Sequence, residues 1–252
     1  MNNKYADEPN VYAPDSLDAY HSIAQALSPG IGLVSWVQRT HPDLTGLKVL
    51  DLGAGTGVSS TAFSQAGAHV TAVDASRESL EFIRSVDQGD KVRTVCADFR
   101  DMDPAELFDI VVLSRNTFFS AIKQEDKIGL LRTIRSSLSS DGTAYLDCTD
   151  PYEFLKQDGS ATSVSYPLGK NTILTTTQFA DRTTQSIMTL YMLNSPQGIY
   201  SFHENAQWCT LQEIQLLTKN VGLQISRVFG SYAGELYGSN SREMMVEIKL
   251  DK

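Results

Sequence analysis

Short apolar runs alternate along this chain with stretches whose apolar residues recur at helical spacing. Residues 48–52, 69–73, 108–113 and 143–148 are compact runs rich in Val, Leu, Ile and Ala. Runs of that length without polar alternation read as strands buried on both faces. Residues 92–97 form another strand of the series. Between them, residues 58–65, 77–85 and 125–138 read as helices. In the last, Ile128, Leu130, Leu131, Ile134 and Leu138 line one face, and Asp141-Gly142 is expected to turn the chain into the next strand. Residues 210–220 read as a helix closed by Gly222, and residues 223–230 and 243–250 as two final strands. Near the start, Asp15 or Ser16 is placed to cap a helix running to Leu27, Pro29-Gly30 to break it, and residues 31–39 to form a second.

Strand–helix alternation predicts an α/β fold: a doubly wound, mostly parallel seven-stranded sheet of Rossmann-like form, covered on both faces. The texture changes over residues 163–208, where T-I-L-T-T-T-Q-F, S-I-M-T-L-Y-M-L and Y-S-F-H-E-N-A-Q-W are β-branched and aromatic. They read as a small antiparallel β cap of about three strands, inserted after the fifth strand. The expected division is an arm with helices over residues 1–44, a ligand-binding domain over 45–162 and 209–252, and the cap over 163–208.

Ligands of such sheets bind beyond the carboxyl ends of the strands. Asp51, Asp74, Asp98 and residues 114–119 fall there. The stretch V-L-D-L-G-A-G-T-G carries Gly53, Gly55 and Gly57. Glycine there permits positive φ and close approach to the backbone. The order G-x-G-x-G departs from the dinucleotide fingerprint G-x-G-x-x-G, whose third glycine would fall at Val58, and the lysine of a Walker loop is missing. Asp51 would repel a pyrophosphate but suits an ammonium or sulfonium group. Asp74, at the end of the second strand, stands where an acid accepts hydrogen bonds from a ribose diol. The expected guest is a nucleoside with positive charge and no phosphate.

These residues resemble a known family. V-L-D-L-G-A-G-T-G, V-T-A-V-D-A-S, V-C-A-D-F-R and F-D-I-V-V-L-S-R-N-T-F-F are similar, in order, to the first four motifs of class I S-adenosylmethionine-dependent methyltransferases. The likeness spans about residues 45–150. More loosely, F-G-S-Y-A-G-E-L-Y and S-R-E-M-M-V-E-I resemble small-molecule N-methyltransferases of the amino-sugar and glycine type. The resemblance implies S-adenosyl-L-methionine as cofactor and S-adenosyl-L-homocysteine as product. It implies that the 53–57 loop passes under the methionine part and that Asp74, with Ala75 beside it, holds the ribose. Asp98 would accept from the adenine amino group, Phe99 would lie against the ring, and Ser114 would contact the methionine amino group through its backbone. Tyr12 is the expected closer of the site from the arm.

Methyl transfer is an in-line displacement, so proximity and orientation carry much of the catalysis. A hydroxyl acceptor would need a base, whereas an amine supplies its own lone pair. Candidate catalytic residues are Asn116, just past the fourth strand, His203 in the cap, and His21 on the first helix; His41 and His69 are expected to be inert. Tyr5, Tyr20, Phe118, Phe119, Tyr152 and Tyr191 are candidates for lining the acceptor pocket. Asp150-Pro151-Tyr152 reads as a turn, and no metal is expected. The acceptor is expected to be a small molecule methylated on nitrogen. Methylation of oxygen or carbon is the first alternative, with a silent nucleoside-binding sensor and a nicotinamide dehydrogenase as rivals of other classes.

Composition narrows the partners. The formal net charge is −9 with no Lys/Arg cluster, which argues against nucleic acid and anionic membranes. Three scattered cysteines suggest neither a disulfide framework nor a zinc site. No apolar run reaches the roughly 18 residues of a membrane span, and the polar start is unlike a secretory signal. A cytoplasmic protein is expected, and a homodimer is left open.

Overall fold

The computed structural model describes residues 17–27, 30–87, 91–100, 102–156, 161–169 and 171–251. Tyr5, Tyr12 and the expected cap of the first helix lie outside them. In chain order the elements are α1 (Leu17–Leu27), α2 (Gly30–Val37), β1 (Lys48–Leu52), α3 (Val58–Gln65), β2 (His69–Asp74), α4 (Arg77–Val86) and β3 (Val92–Cys96). Then come β4 (Phe108–Leu113), α5 (Thr117–Ser120), α6 (Gln124–Ser137), β5 (Leu138–Thr149) and α7 (Pro151–Leu155). The cap strands β6 (Thr162–Gly169), β7 (Thr172–Asp181), β8 (Ser186–Ser195) and β9 (Gly198–Gln207) follow. α8 (Leu211–Asn220), β10 (Leu223–Phe229) and β11 (Glu243–Leu250) complete the described chain.

Among the described residues the strands form two sheets. The seven-stranded sheet runs β10-β11-β5-β4-β1-β2-β3. Its pairs from β5 through β3 are parallel, while β11 is antiparallel to both β5 and β10. The parallel strands alternate their side chains between two apolar layers. Val49, Ile110 and Val112 join Trp36, Phe63, Leu80 and Ile83 on the side of α2, α3 and α4. Leu50, Leu52, Val111 and Leu113 join Leu130, Leu131, Ile134 and Ile214 on the side of α6 and α8. Strand order reverses between β1 and β4, and the crevice at such a switch point is where these sheets bind ligands.

The second sheet is antiparallel, in the order β6-β7-β8-β9. It has one strand more than the sequence suggested. β6 reads T-S-V-S-Y-P-L-G; its serines and Pro167 hide the strand signal, yet an edge position tolerates a proline. One face of this sheet packs on α1, where Leu174, Tyr191, Leu193 and Phe202 meet Ala19 and Ile23.

Two other expectations are corrected. Asp141-Gly142 makes no turn: β5 begins at Leu138, directly after α6, and runs through both residues. A pairing irregularity between Phe108 and Ile110 absorbs the extra length. Asp150-Pro151-Tyr152 starts α7, with Asp150 Oδ1 accepting from the Tyr152 N–H at 2.6 Å and proline at the first turn, where its missing N–H costs nothing.

The return from cap to main sheet is fixed by a capping box. Thr210 Oγ1 accepts from the Glu213 N–H at 3.3 Å, and Glu213 Oε2 accepts from the Thr210 N–H at 2.7 Å. Thr210→Ala is expected to lower the unfolding free energy by about 1 kcal/mol, read as a reduced urea midpoint at unchanged slope. Thr210→Ser should restore most of it.

Candidate functional site

The turn after β1 is built by its glycines and the acid before them. Gly53, Gly55 and Gly57 have φ of 71°, 52° and 81°. A β-carbon on Gly53 would lie 2.5 Å from Thr117 Cγ2, and one on Gly57 would lie 2.7 Å from Ile83 Cγ1. These two glycines are therefore demanded by packing as well as by backbone angle. At Gly55 the nearest atoms would be 3.7 Å away, on the Tyr20 ring and hydroxyl. Gly55 thus faces the space beneath α1.

Asp51 is fully buried under this loop. Its Oδ2 accepts from Ser60 Oγ at 2.6 Å, while Oδ1 has no hydrogen-bond partner among the described residues. Burial, with a contribution from nearby Asp74, pushes its carboxyl up to about 7. A buried carboxylate without full compensation favours a cation nearby.

At the end of β2, Asp74 accepts from the Gly55 N–H through Oδ2 and from the Ser76 N–H through Oδ1, both at 2.8 Å. Burial raises its carboxyl, and these backbone bonds oppose the rise. Each oxygen keeps a lone pair for a further donor, an arrangement suited to a vicinal diol. Ala75 is exposed beside it. At the end of β3, Asp98 is gripped by Arg100, whose Nε donates at 2.8 and 3.0 Å and whose backbone N–H donates at 2.9 Å. That grip lowers its carboxyl. The Phe99 ring lies 3.4 Å from the position of a β-carbon on Gly53, so the aromatic residue does flank the loop.

The end of β4 holds the sharpest backbone feature. Arg115 and Asn116, neither a glycine, adopt φ of 53° and 64°. Left-handed residues of this kind cost about 1–3 kcal/mol each and persist where neighbours over-determine them. Here β5 does so. The Arg115 N–H donates to Asp147 Oδ2 at 3.1 Å, and the Asn116 N–H donates to the Asp147 carbonyl at 2.9 Å. Tyr232 adds its hydroxyl to Asp147 Oδ2 at 2.8 Å.

This geometry places the other expected site residues. The Asn116 amide is engaged by β5: its oxygen accepts from the Thr149 N–H at 2.7 Å and its nitrogen donates to Thr149 Oγ1 at 3.1 Å. It holds two strand ends together. The Ser114 carbonyl already accepts from the Thr117 N–H at 3.1 Å and from Thr117 Oγ1 at 2.7 Å. Both of its lone pairs are used, which disfavours a contact to a methionine amino group. Phe118 and Phe119 are fully buried in the α6-side core, not in a pocket wall. Tyr152 is 56% exposed, with Lys156 over its ring, and does not line the site.

The two histidines separate as well. His21 Nδ1 lies 3.0 Å from Thr56 Oγ1, and its ring is 5.0 Å from that of Phe82. It clips α1 to the glycine loop on the β2 side, away from β4, and burial lowers its pKa. His203 pairs with Leu190 across the cap and so lies on the face opposite Tyr191 and Phe202, away from α1.

What the cap does present is a chain of contacts that includes two residues not singled out from sequence. Tyr191 and Phe202 stack at 4.9 Å and 17°, and the Tyr191 hydroxyl donates to Glu204 Oε2 at 2.9 Å. Phe202 meets Tyr20 edge-on at 5.5 Å. Tyr20 in turn accepts from Arg115 Nη1 at 3.3 Å. Tyr20 and Tyr191 are therefore brought together at the mouth of the switch point, and Arg115 and Glu204 join them. Arg115 sits inside the quoted S-R-N-T-F-F segment, and the alternation of Y-S-F-H-E-N puts Glu204 on the Phe202 side; these were the available signals.

Comparison with known proteins agrees with this geometry. Residues 49–142 match the family described as a methyltransferase domain. The chain is 48% identical over 242 residues to a cypemycin N-terminal methyltransferase from a Streptomyces species, covering 96% of this chain and 98% of that protein. Among solved structures, the CcbJ methyltransferase from Streptomyces caelestis superposes with a TM-score of 0.80 at 19% identity, over 96% of this chain and 100% of that one. CalS10 from Micromonospora echinaspora, an amino pentose methyltransferase solved with S-adenosylmethionine bound, gives 0.70 at 18% identity, over 96% and 99%. These two likenesses establish the fold. With a relative of nearly full length beside the glycine turn and strand-end acids, the chain belongs to the class I S-adenosylmethionine-dependent methyltransferases.

Proposed function

We propose that this enzyme methylates an amine nitrogen, and that the amine is the α-amino terminus of a small peptide-derived natural product. The observation that carries the reading is the 48% identity, over nearly the whole of both chains, to a methyltransferase named for an N-terminal acceptor. The chemistry supports it. When bound, S-adenosylmethionine supplies an electrophilic methyl group on a sulfonium, whose departure as a neutral thioether needs no oxyanion stabilisation. An amine needs no strong base. Asn116, at the end of β4, is an amide spent on Thr149 and no base, and His203 lies on the face of the cap opposite Tyr191 and Phe202, which favours an acceptor that brings its own lone pair.

In this reading residues 45–162 and 209–252 hold the cofactor and residues 163–208 cover the acceptor, with residues 1–44 closing the site. Asp74 accepts from the ribose hydroxyls, and Gly55 gives the methionine part room to lie on the loop. Phe99 flanks the adenine, and Asp98 accepts from its amino group beside the Arg100 bonds. The field of buried Asp51 favours the cofactor's positive charge. Working on a free small molecule, the protein is cytoplasmic; among the described residues no helix is long and apolar enough to cross a membrane.

Incubating the protein with cofactor and short peptides, followed by mass spectrometry, tests the acceptor. Peptides with free amino termini should gain methyl groups, and N-acetylated copies should gain none. Transfer confined to phenols or carbon would overturn the reading.

Asp74→Ala should weaken S-adenosylhomocysteine binding in calorimetry by roughly 1–3 kcal/mol, the worth of charge-assisted hydrogen bonds. Unchanged affinity would mean that the ribose sits elsewhere.

Asp51 gives a pH dependence. Its carboxyl stands at 3.8 in an unfolded chain and at about 7 when folded. The folded protein therefore holds a proton that the unfolded chain releases, and stability from this group falls as pH rises from near 4 through 7. A bound cation favours the ionised form, so binding of S-adenosylmethionine expels that proton. Affinity should rise between pH 6 and 8 and level off above; Asp51→Asn should flatten the curve.

A further inference from the structure

We propose that the outer face of the cap is the docking surface for a second copy of this chain, so that the enzyme is a dimer joined sheet to sheet through its caps. The inference does not depend on which acceptor is methylated. Three observations carry it.

The first is exposure. Cap register sorts the side chains of β6 to β9 onto two faces. Leu174, Tyr191, Leu193 and Phe202 take the inner face, against α1. The alternate positions face outward, and there Ile173, Phe179, Leu190, Met192 and Ile199 are 38–70% exposed. They lie on the adjacent strands β7, β8 and β9, and Met188, paired with Phe179, extends the same band. Apolar surface gathered in this way marks an interaction site.

The second is charge. Over residues 163–167, 173–179, 188–194 and 199–205, no outward position is Asp, Glu, Lys or Arg. Two copies of a chain with a formal charge of −9 repel each other, and here they can meet without setting like charges opposite. The same neutrality weighs against other occupants. An anionic lipid surface or a charged peptide is held by countercharges, and this face offers none. What it offers beside the apolar band is hydroxyls that pair among themselves. Ser163 Oγ lies 2.9 Å from Thr177 Oγ1, and Ser165 Oγ lies 3.1 Å from Thr175 Oγ1. A two-fold contact sets one patch against its own copy, and an uncharged, mixed surface meets that demand.

The third is size. Four strands spaced about 4.8 Å apart, each about seven residues long, give the face about 450 Å² in plan, and side-chain relief adds to it. Two copies therefore bury about 1,000 Å² together, the lower bound of a specific interface. Such faces stack about 10 Å apart, as the sheets of a β-sandwich do. The position ties the contact to the active centre. Tyr191 and Phe202, which close on Ala19 and Ile23 of α1, lie on the inner side of the same strands. The partner's cap thus braces the sheet that closes over the switch point.

The test is sedimentation equilibrium of the full-length enzyme at about 100 μM, above the micromolar dissociation constant of an interface near this lower bound. Flotation with neutral phosphatidylcholine vesicles runs beside it. The wild type should sediment at twice the mass of one chain and stay off the vesicles. Met192→Glu and Leu190→Lys should each sediment as one chain, because each places an unpaired charge in the contact. Leu216→Glu, on the equally exposed apolar position of α8, should remain a dimer. S-adenosylhomocysteine affinity should stay within twofold in all three variants, reporting an intact fold. A wild type that sediments as one chain, or that floats with the vesicles, overturns the proposal. So does a dimer that survives both Met192→Glu and Leu190→Lys, or one that Leu216→Glu dissolves as well.

Discussion

Two consecutive left-handed residues at the end of β4 are the constraint on which the rest of the site depends. Arg115 has no local preference for that conformation, and the tolerance of asparagine for it does not by itself fix two such residues in a row. They hold it because β5 supplies the acceptors: the Asp147 carboxylate and carbonyl take the two N–H groups, and the Thr149 backbone and hydroxyl close on the Asn116 amide. Tyr232, from the loop before β11, locks Asp147 in turn. The clip starts α5, whose Phe118 and Phe119 plug the core, and it sends the Arg115 side chain toward α1 and the cap. The antiparallel β11 matters to this site because, paired with β5, it keeps Asp147 and Thr149 in register with the end of β4.

Electrostatics at the first two strands sets the guest. Asp51 and Asp74 are close enough to raise each other's cost of ionisation. Neither meets a lysine or arginine in its described hydrogen bonds; Ser60 and the N–H groups of Gly55 and Ser76 are the donors. Two such carboxylates around the first glycine turn would oppose a pyrophosphate, whereas a cationic nucleoside relieves them. The nicotinamide alternative loses its physical basis on this ground as well as on the relatedness of the chain.

The sheet and the first half of the site were legible because they depend on local patterns. Lys48–Leu52, Val58–Gln65, Phe108–Leu113 and Glu243–Leu250 follow the sequence reading, since buried strands leave compact apolar runs and the glycine turn marks where the first of these helices begins. Asp74 was legible because a strand's last residue projects into the crevice whatever packs above it. The hydrogen bonds of Asn116 were not legible, because its partner Thr149 is 33 residues away and only β5 register brings them together. Nor was the face of His203: one step of strand alternation put Glu204, rather than the histidine, on the face toward α1. Phe118 and Phe119 followed the same logic as any aromatic pair at a helix start: the core took them. The β6 strand stayed hidden because serine and proline carry no strand propensity and only pairing with β7 makes it one.

The two halves of the active centre are built by different means, and this bears on how the family diversifies. In the proposed reading, cofactor recognition rests on backbone groups and strand-end carboxylates of one sheet: Asp74 is held by the Gly55 and Ser76 N–H groups, with no cap residue among these partners. The proposed acceptor side draws on separate elements. Tyr20 comes from α1, Arg115 from β4, and Tyr191, Phe202 and Glu204 from two cap strands. They meet only because the apolar face of the cap closes on Ala19 and Ile23. In the proposed reading a substitution on that face changes which acceptor fits while leaving the strand-end carboxylates in place. Solved structures at 18–19% identity keep this fold.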